Sequence, residues 1–148
     1  MDDRRDSLLL DDQLCFALYA ASRAVTGLYR PLLDELGLTY PQYLVLLVLW
    51  ENGDCPVKDL GAALHLDYGT LSPLLKRLEA TGLIRRERRP EDERSVRIAL
   101  TEQGLALREK ARDVPPVIGE AMGLPPEEFD ALRAALRKLT SSVTAYLG

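Results

Sequence analysis

The chain has 148 residues, 47% of them apolar, and a formal net charge of −4, which is enough for one domain or a compact multi-lobed subunit with its own core. It contains no long uncharged apolar run of the kind that spans a membrane, and MDDRRDS lacks secretory-signal character, so a cytoplasmic protein is expected. Its two cysteines stand far apart without neighbouring His or Cys, which argues against a metal framework or a secreted disulfide scaffold. No P-loop, GxGxxG or HExxH motif is present, and neither a cofactor nor a metal is expected.

In chain order, Asp11 or Asp12 can cap a long first helix through LCFALYAASRAVTGLYRPLLDEL, with bends possible near Gly27 and Pro31. A very apolar second helix runs from Pro41 through Trp50 and ends near Asn52-Gly53. Two short helices follow within DLGAALHLDYGTLSPLLKRLEATG. In the later one Leu71, Leu74, Leu75 and Leu78 recur at helical spacing and leave Ser72, Lys76, Arg77 and Glu79 on other faces. Thr70 is the expected N-cap, which would place Pro73 in the first turn where its missing N–H costs little. Gly82 suits the left-handed position after the helix end.

Leu83 and Ile84, then Val96, Ile98 and Leu100, give strand-like runs around Arg88 to Ser95, with a turn at Pro90, Glu91, Asp92 and Glu93. A helix from about Thr101 to Asp113 runs into Pro115-Pro116. The last helix begins near Pro125-Pro126 and carries a stripe of Phe129, Leu132, Leu136, Leu139, Val143 and Leu147 that needs a partner surface.

Two short helices and an arginine-rich hairpin make a winged helix-turn-helix, which places one helix in a DNA groove and a hairpin beside it. The predicted class is therefore mostly α with a small β-wing. Three segments are expected: an N-terminal sensor and dimerisation helix over 1–36, a DNA-binding lobe over 37–104, and C-terminal dimerisation helices over 105–148. From Lys76 to Arg97 eight Lys and Arg face five Asp and Glu, a local +3 that leaves −7 for the remainder. The basic residues thus gather where phosphates would lie, while the acidic remainder limits indiscriminate polyanion binding. Apolar helices at both chain ends are most simply covered by a two-fold homodimer, which reads half-sites about 34 to 36 Å apart on an inverted-repeat operator in double-stranded DNA.

The sequence resembles the MarR family of dimeric winged-helix regulators over nearly its whole length. DERSVRIALTEQG looks like the family's wing signature. DDQLCFALYAASR and YRPLLDELGLTYPQYLVLLVLWE are very similar to its organic-hydroperoxide-sensing repressors of the one-cysteine type. DYGTLSPLLKRLE resembles that subfamily's recognition helix, with Tyr68 standing where a smaller polar residue is expected. The resemblance implies that Cys15 is a redox sensor held by Tyr19, Tyr29 and Tyr40, and that organic hydroperoxide is the effector, with a low-molecular-weight thiol as a further reactant. For DNA it implies groove contacts from the helix bearing Tyr68, Thr70, Leu71, Ser72, Lys76 and Arg77. Arg86 and Arg88 are expected on phosphates, and Arg94, set by Asp92, in the minor groove.

The residues allow that chemistry. A sensing cysteine reacts as thiolate, and in the first turn of a helix the dipole and unpaired N–H groups favour an anion, although Asp11 and Asp12 oppose it. Tyr19, four residues on, shares a helix face with Cys15. Tyr29 lies fourteen residues away, roughly 21 Å along a straight helix, so it can meet Cys15 only across an antiparallel dimer contact. Tyr43 and Tyr146 are expected to pack, Trp50 to lie in the core, His65 to sit at the surface, and Cys55 to be an incidental surface thiol at a loop-to-helix junction. The competing readings are a repressor relieved by a small phenolic ligand, a Cys15-dependent thiol peroxidase, and a winged helix used only for protein assembly.

Overall fold

The computed structural model describes residues 4–89 and 92–148, with residues 4, 89 and 92–95 described through their backbone alone. Helix α1 spans Leu14–Asp34 and runs uninterrupted through Gly27 and Pro31. It starts later than the acidic residues suggest. Asp11 and Asp12 belong to a separate 3-10 turn, Leu10–Asp12, whose own hydrogen bonds close back onto Leu9 and Leu10. Gln13 is the extended residue at the helix entry, and its side-chain amide donates to the Ser7 and Leu9 carbonyls at 2.7 and 3.0 Å.

Helix α2, Tyr40–Asn52, opens on a capping box: Thr39 Oγ1 accepts the Gln42 N–H at 3.3 Å and Gln42 Oε1 accepts the Thr39 N–H at 3.0 Å. It buries Gln42, Tyr43, Val45, Leu46 and Leu49, while Leu47 on another face is 39% exposed. A short strand β1, Cys55–Pro56, leads into α3, Val57–Leu64, which His65 ends in the left-handed conformation.

Helix α4 is Tyr68–Ala80, three residues longer at its start than Thr70 as N-cap would allow. Asp67 is the cap, and its carboxylate accepts the Thr70 N–H at 2.7 Å. Pro73 therefore sits inside the helix rather than in its first turn, and the Gly69 carbonyl four residues back loses its usual donor. Gly82 does adopt the left-handed conformation after the helix end, with φ 84°.

Strands β2, Ile84–Arg89, and β3, Asp92–Leu100, pair antiparallel from Ile84 with Leu100 to Arg88 with Val96, and a register shift follows at Arg88/Arg89. The sheet order is β1-β3-β2, so Cys55 pairs with Ile98. Cys55 is consequently a buried strand residue, not the surface thiol expected beside Pro56. The turn predicted at Pro90 and Glu91 falls outside the described residues.

Helix α5, Glu102–Ala111, is capped by Thr101, whose hydroxyl accepts the Gly104 N–H at 3.1 Å. The chain then forms a helix that the Pro115-Pro116 pair had hidden: α6, Val114–Met122, carries both prolines in its first turn, where no N–H is needed. Helix α7, Pro126–Leu147, starts as predicted with Glu127 and Glu128 in its first turn, and none of its residues is buried. The chain divides into two compact units, Met1–Val114 and Pro115–Gly148.

In the first unit Leu33, Leu46, Leu49, Leu60, Leu71, Leu78, Ile84 and Ile98 are each less than 2% exposed. They come from α1, α2, α3, α4, β2 and β3, so one core fixes the reading helix and the base of the wing to the same support. Trp50, expected in the core, is half-buried at its margin, where its indole N–H donates to the Gly104 carbonyl at 2.9 Å.

Candidate functional site

On α4 the leucine face is the packed one. Leu71 is 1% exposed, so it is core and is withdrawn from the groove-contacting set; reaching a base would require unpacking it. The opposite side presents Tyr68, 71% exposed, with Thr70, Lys76 and Arg77 exposed and Ser72 half-buried. Tyr68, Ser72 and Lys76 follow at four-residue spacing and so form one row along the helix.

The arginines of the wing divide into engaged and open groups. Arg85 pairs with Glu87 at 2.6 Å, Arg97 donates to the Asp54 carbonyl at 3.2 Å, and Arg86 pairs with Glu79 of α4 at 3.1 Å. Among the described residues no ion pair engages Lys76, Arg77 or Arg88, which are all exposed. Arg86, expected on a phosphate, is thus held by a carboxylate instead. The Arg86 backbone N–H, with the guanidinium beside it, keeps the Glu79 carboxyl below its usual range. A cleft of about 410 Å³ between α4 and the hairpin is bordered by Tyr68, Ser72, Glu79, Arg86 and Arg88. The side chains of Asp92 and Arg94 lie outside the described residues.

Cys15 is the second residue of α1 and is exposed. Since no side chain caps this helix, the N–H groups of its first turn remain available to a negative charge at that position. Leu14, Phe16 and Tyr19 around it are 65, 43 and 59% exposed. The Tyr19 hydroxyl accepts from Arg23 Nη1 at 3.4 Å, and the Arg23 guanidinium lies over the Tyr19 ring at 5.6 Å. Tyr19 is therefore engaged along α1 with Arg23.

Tyr29 and Tyr40 do come together, with ring centroids 4.9 Å apart. Tyr43, expected only to pack, completes the cluster at 5.7 Å from Tyr29 and 6.3 Å from Tyr40. The signal for it was the three-residue spacing of Tyr40 and Tyr43 on one helix. Burial first, then the proximity of Tyr40 and Tyr43, pushes the Tyr29 phenol up to about 12. Burial also raises Tyr40 and Tyr43. The three are therefore neutral hydroxyl donors at physiological pH, and none of their hydroxyls is hydrogen-bonded among the described residues. Tyr29 and Tyr40 border a cleft of about 590 Å³ with Arg23, Thr26 and Arg30. Cys15 is not among the residues brought to it. The unbroken α1 keeps Tyr29 and the Cys15 of the same chain roughly 21 Å apart along the axis.

This arrangement of a helix-turn-helix, a basic hairpin and a shared core defines a winged-helix DNA-binding protein. Residues 27–111 match the family model described as transcriptional regulator SarA/Rot. The organic hydroperoxide resistance transcriptional regulator of Bacillus subtilis is 50% identical over 143 residues, covering 97% of each chain. The solved structure of reduced AbfR bound to DNA, a Staphylococcus epidermidis protein, is 37% identical with a TM-score of 0.78 and covers 94% of this chain and 95% of that one. AbsC of Streptomyces coelicolor, a MarR family regulator, has a TM-score of 0.80 at 27% identity, with coverage of 94% and 98%. The chain belongs to the MarR family of winged-helix transcriptional regulators. It is a DNA-binding regulator of transcription. Among the described residues no helix is long and apolar enough to cross a membrane.

Proposed function

We propose that this chain is a homodimeric repressor that binds an inverted-repeat operator when Cys15 is reduced and releases it when organic hydroperoxide oxidises that sulfur. The observation that carries the reading is the separation of the reactive candidate from its donors on one unbroken helix. Cys15 is exposed near the start of α1, and the Tyr29–Tyr40 pair is at the other end. A second copy with its α1 antiparallel to the first brings each Cys15 to the other copy's tyrosines. It also covers apolar residues of α1, a helix that buries Leu33 alone, and α7 offers a further apolar face in Phe129, Leu132 and Val143.

The Cys15 thiolate attacks the terminal oxygen of the hydroperoxide. The S–O bond forms as the O–O bond breaks, sulfur loses two electrons, and the alkoxide leaves as an alcohol after taking a proton. The sulfenic acid then condenses with a low-molecular-weight thiol or backbone nitrogen, or is oxidised further. The new group disturbs the tyrosine hydroxyls that held the thiolate, the dimer contact shifts, and the reading helices move off their half-sites. Oxidation and operator binding oppose each other reciprocally.

The test replaces Cys15 by Ser and follows operator retention in a gel shift with cumene hydroperoxide. Retention in the variant and release in the wild type are expected, and release in both would remove Cys15 as sensor. The 590 Å³ cleft beside Tyr29 supports a second reading, a repressor relieved by a small phenolic ligand. Relief by salicylate that survives Cys15→Ser would favour it.

A further inference from the structure

We propose that Glu79 is a positioning residue for DNA recognition: it docks the wing on the reading helix, and Arg86 is the part of the wing it holds. The inference rests on the reading that α4 and the hairpin contact DNA together. An acidic side chain in the cleft lined by Arg86 and Arg88 works against polyanion binding, so its presence calls for a structural reason. Glu79 Oε2 accepts the Arg86 backbone N–H at 2.8 Å, and Oε1 faces Arg86 Nε and Nη2, each at 3.1 Å.

Strand β2 is at the sheet edge in the order β1-β3-β2, and the Arg86 N–H, turned to Glu79, has no strand to meet on that side. One carboxylate thus holds both the main chain and the guanidinium of the same residue, fixing the strand's position and its rotation relative to α4. Arg88, two residues on and pointing to the same side of β2, makes no ion pair among the described residues and shares the cleft with Tyr68 and Ser72. Where Glu79 puts Arg86 decides where Arg88 meets the DNA relative to Tyr68 and Ser72. The pair is about one-third exposed, so it contributes little to folding, and its effect is on geometry.

The test compares a duplex that the wild type has enriched from a random-sequence pool with a duplex of unrelated sequence. In Glu79→Ala the affinity for the enriched duplex should fall roughly tenfold, the size of one misplaced base contact. The unrelated duplex should be held as well or better, because an acid has been removed. Arg86→Ala should show the same loss, the double variant no more than either, and the dependence of log K on log salt should keep its slope. If Arg86 instead neutralised a phosphate, its removal would reduce that slope by about 0.9 per copy, about 1.8 for the dimer.

Unchanged or tighter specific binding in Glu79→Ala, or a reduced slope in Arg86→Ala, overturns the docking role. Glu79→Gln, which keeps an oxygen for the Arg86 N–H but loses the charge, should fall between wild type and Glu79→Ala, and carries the test should the alanine variant melt early. Lys76→Ala and Arg77→Ala report on the underlying reading. Weakening there with no effect at Glu79 removes the docking role alone, whereas no weakening at any of these positions removes the α4 face and the inference with it.

Discussion

Gly104 of α5 lies so close to Leu83 at the start of the wing that a Cβ on it would overlap the Leu83 carbonyl oxygen. The same glycine gives its N–H to Thr101 and its carbonyl to the Trp50 indole, so α2, the wing base and α5 meet at one residue without a side chain. The Gly104→Ala variant must push α5 off the hairpin or strain both. A loss of about 1 to 3 kcal/mol or more is expected, read as a lower denaturant midpoint at unchanged m-value. An unchanged midpoint would mean that α5 slides freely on the wing base.

Leu71 supplies a second stability test, because its placement on the reading helix suggests a base contact and its burial contradicts one. Leu71→Ala should cost about 2 to 5 kcal/mol in folding free energy. A variant as stable as wild type with altered base preference would return Leu71 to the groove.

The open cations should differ from the engaged ones in salt dependence. Arg77→Ala and Arg88→Ala are each expected to weaken duplex binding and to lower the salt slope by about 0.9 per copy, about 1.8 for the dimer. Arg85→Ala, whose guanidinium is held by Glu87 and by the Leu100 carbonyl at 3.1 Å, should leave the slope nearly intact. Equal slope changes at all three would show that the ion pairs open on DNA.

Tyr29 makes stability fall with alkaline pH. Its phenol ionises at about 12 in the folded chain against 10.0 ordinarily, so between those values the unfolded chain has already released a proton that the folded one retains. Stability is full below 10.0 and is lost as pH rises toward 12. Denaturant midpoints at the two ends of this window should differ less in Tyr29→Phe than in wild type. An identical pH dependence would place the titration elsewhere.

The cross-subunit arrangement predicts complementation. A dimer of one Cys15→Ser chain and one Tyr29→Phe chain retains an intact Cys15–Tyr29 pair only if the pair forms between copies. Mixed dimers should therefore respond to cumene hydroperoxide more sensitively than either homodimer, and no gain in the mixture would place sensing within one chain.

Much of the reading lobe was legible in the sequence because its signals are local. The leucine spacing on α4, the glycine after its end and the apolar runs around the hairpin each depend on a few neighbouring residues. Boundaries failed where two local signals competed. Asp67 took the cap that Thr70 also offered, and Gln13 the entry that Asp11 and Asp12 offered. The Pro115-Pro116 pair reads equally as a stop and as a helix start, and the chain uses it as a start.

The sequence alone determined the helix-turn-helix, the charge gathered on it, and the presence of a cysteine near the start of a long helix. Only tertiary structure decided which of those charges are open, since Glu79 takes Arg86, Glu87 takes Arg85, and the Asp54 carbonyl takes Arg97. It likewise paired Cys55 with Ile98 and closed three tyrosines from two helices into one cluster. Periodicity reports which face of an element is apolar, whereas a hydrogen bond or ring contact between residues distant in sequence exists only after the core has set those elements against one another.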